Sequence, residues 1–440
     1  MRRNRHVALL FGCAALMAGA VASCGGDDDG GGGGGGASSG GGGEAVSGAK
    51  VVDLKTEDGA KGNVTYCTGK DTSGDLIAGV KDFNAKNPGI TAKLLEFPEQ
   101  ADQQRAQFIQ RQRAKAPDCD VFESDVVWTA EFASQKWLYD LTPLLEKRKS
   151  EFIPSTLEST HYGGKYWGVP RSTDSGLLYY NTDQVKSLPA TWQAVYADAA
   201  KKKGIVYQGS SYEGLTVNFL EIAFAAGGKV LSDDGKKSEF DSPENLKALQ
   251  FMVDGIKNGA APKAVTTYDE EAARRAFEAE RATYERQWPY AYALGNLKGS
   301  KVKGKFKVAP YPPFEGGGKA AILGGHNMVI SAYSKNPGAA LKLIDYFTGP
   351  EVMKRAAVKW SKAPVLAQTY DDPAVKKALP FADQLKQSVE QAKSRPVSPV
   401  YTQISQAIYK NVNEALSGST DPKAALKKAD DQINSALATF

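Results

Sequence analysis

The stretch Tyr207-Gln208-Gly209-Ser210-Ser211-Tyr212-Glu213-Gly214-Leu215 joins a predicted strand to a predicted helix. Residues 204–207 are typical of a strand, and the apolar positions from Leu215 onward have helical spacing up to Gly227-Gly228. The turn between them offers unpaired backbone N–H groups at the helix start, together with two tyrosine rings, an amide and a carboxylate. These groups suit a polyhydroxylated ligand, although a Ser N-cap with ordinary aromatic packing explains the same pattern.

The length and composition of the chain indicate a globular protein with room for two domains. Of its 440 residues, 42% are hydrophobic and 24% are charged, and the formal net charge is +5. Lysine and arginine are scattered, and no basic patch is interleaved with aromatic rings, so nucleic acid is not an expected partner. Beyond the N-terminus, no segment approaches the run of about 20 apolar residues that a membrane-spanning helix needs.

The N-terminus has the pattern of a secretory signal peptide. A basic start at Arg2-Arg3-Asn4-Arg5 precedes a mostly apolar segment that ends in Val21-Ala22-Ser23-Cys24. Small residues before a Cys resemble a lipoprotein lipobox, which implies cleavage before Cys24 and lipid on its sulfur; a plain signal peptide with an incidental Cys is the alternative. We therefore expect a signal peptide over 1–23, a Gly-rich flexible tether over 24–49, and a protein anchored to the outer face of the bacterial cell membrane.

Two cysteines remain in the expected mature chain after the tether. Cys67 and Cys119 would fold in an oxidising compartment, so we expect a disulfide between them, with two buried free thiols as the alternative. Neither belongs to a CxxC pair, and the mature chain keeps only His161 and His326. We therefore expect no transition-metal site and no cofactor.

Predicted strands and helices alternate from residue 50 onward. Strands are predicted near 63–67, 90–97 and 120–127, and helices fill the intervals between them. This alternation predicts an α/β fold with a mainly parallel sheet, in which ligands bind beyond the carboxyl ends of the strands. Further along the chain, residues 269–287 are predicted to form one long helix that ends at Arg286-Gln287-Trp288-Pro289-Tyr290.

Several short motifs follow one another in an order that is similar to a known family. They lie at 83–90, 125–128, 131–133, 163–170, 174–181, 207–215, 286–290, 323–325 and 394–399. Placed after a lipobox, these motifs resemble the family 1 extracellular solute-binding lipoproteins of ABC sugar importers, of the trehalose/maltose-binding type. The resemblance spans nearly everything after the tether.

The resemblance implies a two-lobed α/β fold of the type II periplasmic-binding-protein kind. Each lobe is expected to be a mainly parallel sheet flanked by helices, with a hinge between the lobes. The N-terminal lobe is expected over 50–168 plus 309–365, and the C-terminal lobe over 169–308 plus 366–440. The implied function is that of a monomeric binding protein without enzymatic activity. It captures a trehalose- or maltose-like disaccharide, or a small oligosaccharide, and delivers it to the transmembrane subunits of an ABC permease.

The side chains at these motifs suit a sugar independently of the resemblance. Sugar hydroxyls need donors and acceptors, and aromatic rings can cover the C–H faces of a pyranose. The predicted ligand-binding residues are Lys70, Asp71, Asp125, Trp128, Arg171, Asp174, Gln208, Tyr212, Glu213, Arg286, Trp288, Tyr290, Gly324, Gly325, His326 and Arg395.

Several of these residues also have purely structural interpretations. Trp128 suits a core position, Asp125 suits a helix cap, and Arg286 can pair with an acid on its own predicted helix. Glu213 is an acid in a first helical turn, which the helix dipole favours. His326 stands where relatives often have Trp, which leaves the exact sugar open, and a structural histidine is its alternative role.

Two other functions compete with sugar transport. A secreted glycoside hydrolase would use a carboxylate pair such as Asp174 and Glu213. We expect the surrounding arginines to hold both groups as anions, which argues against a general acid. The second alternative keeps the fold and binds a non-sugar solute such as a peptide or a polyamine.

Overall fold

A computed structural model describes residues 45–439 of the chain. The predicted signal peptide, most of the predicted tether and the lipidation site Cys24 lie outside the described residues. No helix within 45–439 is both long and apolar enough to cross a membrane.

The described part of the chain alternates between helices and strands. The strands are β1 Gly62–Thr68, β2 Ile90–Glu96, β3 Val121–Asp125, β4 His161–Tyr162, β5 Lys165–Tyr166, β6 Val169–Ser175, β7 Leu177–Asn181, β8 Ile205–Val206, β9 Tyr284–Gln287, β10 Phe306–Ala309 and β11 Leu323–Ile330. The helices are α1 Asp75–Lys86, α2 Ala101–Arg113, α3 Thr129–Ser134, α4 Thr142–Arg148, α5 Pro154–Glu158, α6 Trp192–Ala199, α7 Glu213–Ala225, α8 Pro243–Lys257, α9 Glu270–Glu278, α10 Ala291–Gly295, α11 Pro337–Phe347, α12 Pro350–Trp360, α13 Pro373–Ala378, α14 Ala382–Glu390, α15 Tyr401–Ser417 and α16 Pro422–Leu437.

A five-stranded sheet, called the first sheet below, has the strand order β2-β1-β3-β11-β6. The strands β1, β2 and β3 are parallel, because α1 and α2 carry the chain back between them. Alternate residues of each strand face opposite sides, so Tyr66 and Val121 enter one apolar cluster while Cys67 and Phe122 enter another. The first sheet therefore has a hydrophobic core on each face.

A four-stranded sheet, called the second sheet, has the order β10-β7-β9-β8. Only β8 and β9 run parallel in it, and β11 runs antiparallel to both of its neighbours in the first sheet. The prediction of mainly parallel sheets is therefore wrong, and both sheets are mixed. A parallel neighbour needs a crossover that returns over the same sheet. Here β6 continues through Gly176 directly into β7 of the second sheet, and β11 comes back to the first.

The helix α7 contributes seven residues to the largest hydrophobic cluster of the described residues, which also contains residues of the second sheet. Almost every residue of α7 is buried, and the helix packs against α15 and α8. A helix that is apolar around most of its circumference must be enclosed on all sides. The stretch that joins β8 to α7 is held by hydrogen bonds, because the Gly209 and Ser210 N–H groups donate to the Tyr268 carbonyl and Asn413 donates to the Gly209 carbonyl.

The predicted long helix over 269–287 is wrong in its second half. The helix α9 ends at Glu278, and the chain turns at Glu280, whose φ is +56°. Residues from Tyr284 onward then form β9, which pairs with β7 on one side and β8 on the other. Sheet pairing overrides helical propensity here, and it turns Arg286 into a strand residue.

Candidate functional site

The two sheets meet where β6 leaves the first sheet and β7 enters the second. At this junction Asp125 ends β3 and lies opposite His326 of β11, while Gly324 lies opposite Asp174 of β6. Residues paired across antiparallel strands point to the same face of a sheet. The ends of three strands therefore place Asp125, His326 and Asp174 side by side, next to the second sheet.

Arg395 joins the first sheet to the start of α7. Its guanidinium donates from Nη1 to Oε1 of Glu213 over 2.6 Å and from Nη2 to Oδ1 of Asp125 over 3.2 Å. Nη2 also reaches the carbonyl oxygen of Leu323 at 3.3 Å, and only 4% of Arg395 is exposed. Ionised pairs of this kind are the stronger hydrogen bonds in proteins. One buried cation therefore holds two of the predicted site acids in place.

Glu213 is fully engaged by protein groups. Besides Arg395, its carboxylate accepts hydrogen bonds from the hydroxyls of Tyr401 and Ser405, each at 2.5 Å. Burial raises the pKa of Glu213 to about 7, against the lowering influence of Arg395. Its position at the first residue of α7 agrees with the structural interpretation from the sequence, and its hydrogen-bonding capacity is spent inside the protein.

Arg286 forms the second buried ion pair of the site. Its Nε and Nη2 donate to the two oxygens of Glu221 on α7, at 2.9 and 2.6 Å, and its Nη1 donates to Oε1 of Gln208 at 2.9 Å. Tyr311 donates to the same carboxylate at 2.9 Å. The alternative pairing of Arg286 with an acid on its own helix is wrong, because Arg286 lies on β9.

Trp288 presents a half-buried ring between the two sheets. The guanidinium of Arg286 lies 3.9 Å from the centre of this ring, and the Trp288 carbonyl accepts from the Tyr179 hydroxyl at 2.8 Å. A side chain at Gly324 would come within 3.0 Å of the indole. Gly325 has φ of +113°, and a Cβ there would lie 2.3 Å from the Ser172 carbonyl oxygen. Gly324 thus lets Trp288 approach the backbone of β11, and Gly325 lets β11 approach β6.

Two predicted tyrosines are tied to acids near the start of α9. Tyr212 donates to Oε2 of Glu270 over 2.5 Å and is almost fully buried. Tyr290 donates to Oε1 of Glu271 over 2.9 Å, and its ring stays half-buried. Both hydroxyls are therefore used within the protein, and only the ring of Tyr290 keeps an open face.

Asp174 and His326 differ from the other polar residues of the site, because neither side chain makes a hydrogen bond within residues 45–439. Burial raises the pKa of Asp174 to about 6, although Lys362, His326 and Arg286 lower it. The expectation that the nearby arginines would keep the pKa values of Asp174 and Glu213 low is therefore wrong, since burial outweighs the nearby cations and raises both. Asp174 remains a half-buried acceptor without a partner.

Four predicted residues serve other parts of the molecule. Trp128 is 3% exposed and stacks on Phe122 in the core, with ring centres 5.9 Å apart. Arg171 is buried between Asp75 and Glu123, with Nε 3.7 Å from the Glu123 carboxylate.

The other two lie in the loop between β1 and α1. Asp71 accepts from the backbone N–H groups of Gly74 and Ile77 at 2.8 and 3.0 Å, and it therefore stabilises the start of α1. Lys70 is exposed beside it. The structure thus brings Asp125, Asp174, Glu213, Arg286, Trp288, Tyr290, Gly324, Gly325, His326 and Arg395 to one region. It uses Trp128, Arg171 and Asp71 for packing, an ion cluster and a helix start.

Cys67 and Cys119 form a disulfide that links β1 to the segment before β3. Among residues 45–439, no group of His, Cys, Asp and Glu is arranged to hold a metal ion.

Two important residues of the site escaped the sequence interpretation. Glu221 had a visible signal, because an acid inside an otherwise apolar helix must be buried and paired. Lys362 had none, since it follows α12 in a segment without a recognised motif.

Comparison with known proteins places this geometry in context. The sequence profile described as "Bacterial extracellular solute-binding protein" matches residues 69–354. A relative from Deinococcus radiodurans, named "Probable ABC transporter-binding protein", is 38% identical over 372 residues, which cover 80% of this chain and 88% of the relative. The "Maltotriose-binding protein" of Pyrococcus abyssi is 27% identical over 360 residues, covering 77% of this chain and 74% of the relative.

A solved structure agrees with these sequence matches. The maltose-bound MalE3 of T. maritima superimposes with a TM-score of 0.81 at 35% sequence identity. The match covers 84% of this chain and 98% of that protein. The similarity therefore extends over both sheets and the junction between them.

Proposed function

We propose a function for this chain from the premise that it belongs to the family of bacterial extracellular solute-binding proteins. The resemblance and the two-lobed α/β fold class predicted from the sequence are thereby confirmed. Proteins of this family bind solutes for ABC transporters and catalyse no reaction, which agrees with the prediction that the chain is not an enzyme. Our proposal is that it captures a maltose- or trehalose-like disaccharide, or a small oligosaccharide, and delivers it to an ABC permease.

The half-buried ring of Trp288 beside the unpartnered carboxylate of Asp174 is the observation that carries this proposal. A sugar ring needs a flat apolar surface for its C–H face and an acceptor at its edge for the hydroxyls. Arg286 and Gly324 hold the indole in a fixed position, so little conformational entropy is lost when a ligand stacks on it.

The names of the relatives support the choice of ligand class. One similar structure was solved with maltose, and one similar protein is named for maltotriose. Both are neutral sugars built from glucose units. The hydrolase alternative is weak, because Glu213 is buried and both of its oxygens already accept hydrogen bonds from Arg395, Tyr401 and Ser405.

A thermal-shift panel of maltose, maltotriose, trehalose and sucrose tests the proposal. A ligand that binds only the folded state adds about 2.7 kcal/mol of stability when its concentration is 100 times Kd. We expect at least one glucosyl sugar to raise Tm in proportion to the logarithm of its concentration. If no sugar raises Tm while a peptide or polyamine does, the proposal is overturned. Release of glucose from maltose by the pure protein would instead favour a hydrolase.

We further propose that lipid on Cys24 anchors a monomer to the outer face of the cell membrane. Its two lobes follow the expected division, except that β6 belongs to the first sheet, so the first segment of the N-terminal lobe extends beyond residue 168. The sequence of the N-terminus supports the anchor. Metabolic labelling of the full chain with an alkyne fatty acid should mark the wild type and leave Cys24→Ala unlabelled. Equal labelling of both would exclude this anchor, and light scattering of the purified protein would report its mass.

A further inference from the structure

Lys362 is held by the fold at the edge of the sugar site proposed above. The helix α12 ends at Trp360, and the next residue, Ser361, is buried and adopts a left-handed conformation with φ of +53°. The chain then turns alongside β6, where the Thr173 N–H donates to the Ala363 carbonyl at 3.2 Å. A left-handed non-glycine residue costs free energy and persists only where the surroundings require it. The backbone of Lys362 is therefore fixed next to Asp174.

The ammonium of Lys362 faces across the junction toward the second sheet. It lies 5.5 Å from the ring centre of Tyr290, and its side chain is half-buried. Within residues 45–439 it forms no ion pair at 4.0 Å or less and donates no side-chain hydrogen bond. Burial raises the pKa of Asp174, and among the groups that oppose this rise, the charge of Lys362 acts most strongly. Lys362 and Asp174 are thus close enough to interact and too far apart to satisfy each other.

An ammonium group has three N–H donors and no acceptor, whereas a carboxylate has only acceptors. Sugar hydroxyls can do both, so one hydroxyl can accept from the ammonium and donate to the carboxylate. The arginines nearby are poor donors to a ligand, because Arg286 and Arg395 are buried and paired with buried acids. The Nε–H of Arg395, which has no partner within residues 45–439, is itself enclosed. In the described part of the chain, two side chains near Asp174 keep unused donors, the imidazole of His326 and the ammonium of Lys362. Of these two, Lys362 carries a full positive charge and lies against the ring of Tyr290.

We propose that Lys362 contacts the bound sugar directly and, with Asp174, selects a neutral saccharide. Lys362 donates to the oxygens of one sugar ring while Asp174 accepts from its hydroxyls. The opposite charges balance, which disfavours a sugar acid or an amino sugar relative to an uncharged sugar. This inference rests on the proposed function, since it names a contact within the same site.

The test compares Lys362→Met with Lys359→Met, using maltose as the probe and titration calorimetry as the readout. Lys359 is a matched control, because its ammonium also lies over an aromatic ring, 5.8 Å from that of Trp360, but the side chain is exposed. We expect at least a tenfold rise in Kd for Lys362→Met and less than a twofold change for Lys359→Met. Lys362→Arg keeps the charge and should recover part of the affinity.

A pH series separates ligand contact and charge pairing from a merely structural role. Loss of the Lys362 charge should raise the pKa of Asp174, so the pH at which maltose binding is half-maximal should move upward in Lys362→Met. Lys362→Arg should restore the wild-type midpoint. Wild-type affinity and midpoint in Lys362→Met would overturn this inference and leave the proposed function standing. A wild-type protein that binds no sugar of the panel would overturn both.

Discussion

The guanidinium of Arg395 and the carboxylate of Glu213 form a buried ion pair, with Nη1 and Oε1 2.6 Å apart. The same guanidinium reaches Asp125 at 3.2 Å, so a single cation joins the end of β3 to the start of α7. The positions of both predicted acids therefore depend on one residue near the C-terminus of the chain.

Replacing Arg395 by Met should destabilise the protein by about 3–5 kcal/mol, because it leaves buried acids without their cation. Burial already holds the pKa of Glu213 at about 7, above its ordinary value. The folded state consequently binds the extra proton below pH 7, and stability falls as the pH rises through this window. The decrease in the free energy of unfolding caused by Arg395→Met, measured by urea unfolding, should therefore be larger at pH 8 than at pH 5. The double variant Arg395→Met, Glu213→Gln should recover part of the lost stability. An equal decrease in stability of Arg395→Met at pH 5 and pH 8 would contradict this account.

Replacing Trp288 by Ala should weaken maltose binding by about 2 kcal/mol, or roughly thirtyfold in Kd, because the sugar loses its apolar surface. Trp288→Phe keeps a ring and should lose less. Trp137→Phe is a useful control, since Trp137 packs in the core cluster that contains Trp128. It should lower Tm and leave the calorimetric Kd unchanged. If Trp288→Ala bound maltose with unaltered affinity, the indole of Trp288 would not contact the sugar.

Maltose affinity should depend on pH through Asp174. Burial raises the pKa of this carboxyl to about 6, and the ionised form is the better acceptor for sugar hydroxyls. Affinity should therefore increase as the pH rises from 5 to 7 and level off above it. Asp174→Asn should bind more weakly and show no such rise. Titration calorimetry between pH 5 and pH 7 measures this dependence. A rise in affinity of the same size in Asp174→Asn would show that another group titrates.

Removing Glu221 should leave the buried guanidinium of Arg286 without an opposite charge. Glu221→Ala is expected to cost about 3–5 kcal/mol in urea unfolding, because Arg286 then loses both of its charged contacts. Arg286→Met alone should cost a similar amount. The double variant should be less destabilised than the sum of the two, since neither charge remains buried alone. Strict additivity would show that the pair is not coupled.

The disulfide between Cys67 and Cys119 should stabilise the folded chain. It spans 52 residues, and closing a loop of that length in the unfolded chain is worth about 4 kcal/mol in the entropic account. Cys67→Ala, Cys119→Ala should therefore unfold at lower urea than the oxidised wild type. Reductant should lower the wild-type midpoint toward that of the variant and leave the variant unchanged. If the double variant had the same urea unfolding midpoint as the oxidised wild type, the disulfide would not stabilise the folded chain.

The sequence supported the fold at the points where the pattern is local. Helical spacing predicted α7, and the alternation of strands and helices predicted the β1-α1-β2-α2-β3 unit. It failed where pairing with a distant strand decided the outcome. Residues 284–287 have helical propensity, yet they became β9 between β7 and β8. Pairing between strands far apart in sequence also explains the mixed sheets. The direction of a strand depends on the end of the sheet at which the chain enters it, and local sequence does not specify that end.

The sequence likewise predicted only part of the candidate site, namely which residues have suitable side chains and not which of them stay accessible. Trp128 and Trp288 both follow predicted strand or helix ends, and both are aromatic, so the sequence does not distinguish a core ring from an open one. Packing made the distinction, since Phe122 covers Trp128 while Gly324 gives Trp288 room beside β11. Local patterns carry no information on which side chain will cover another.

By itself the sequence determined the family, the two-lobed α/β class and a set of polar and aromatic residues suited to a sugar. Only the tertiary structure decided which of these residues remain free. Arg395 meets Glu213 across 182 positions and Asp125 across 270, and Arg286 meets Glu221 across 65. Buried charges must find opposite partners at whatever separation the fold provides. Asp174 and Lys362 keep unused hydrogen-bonding capacity, because no partner between residues 45 and 439 reaches them.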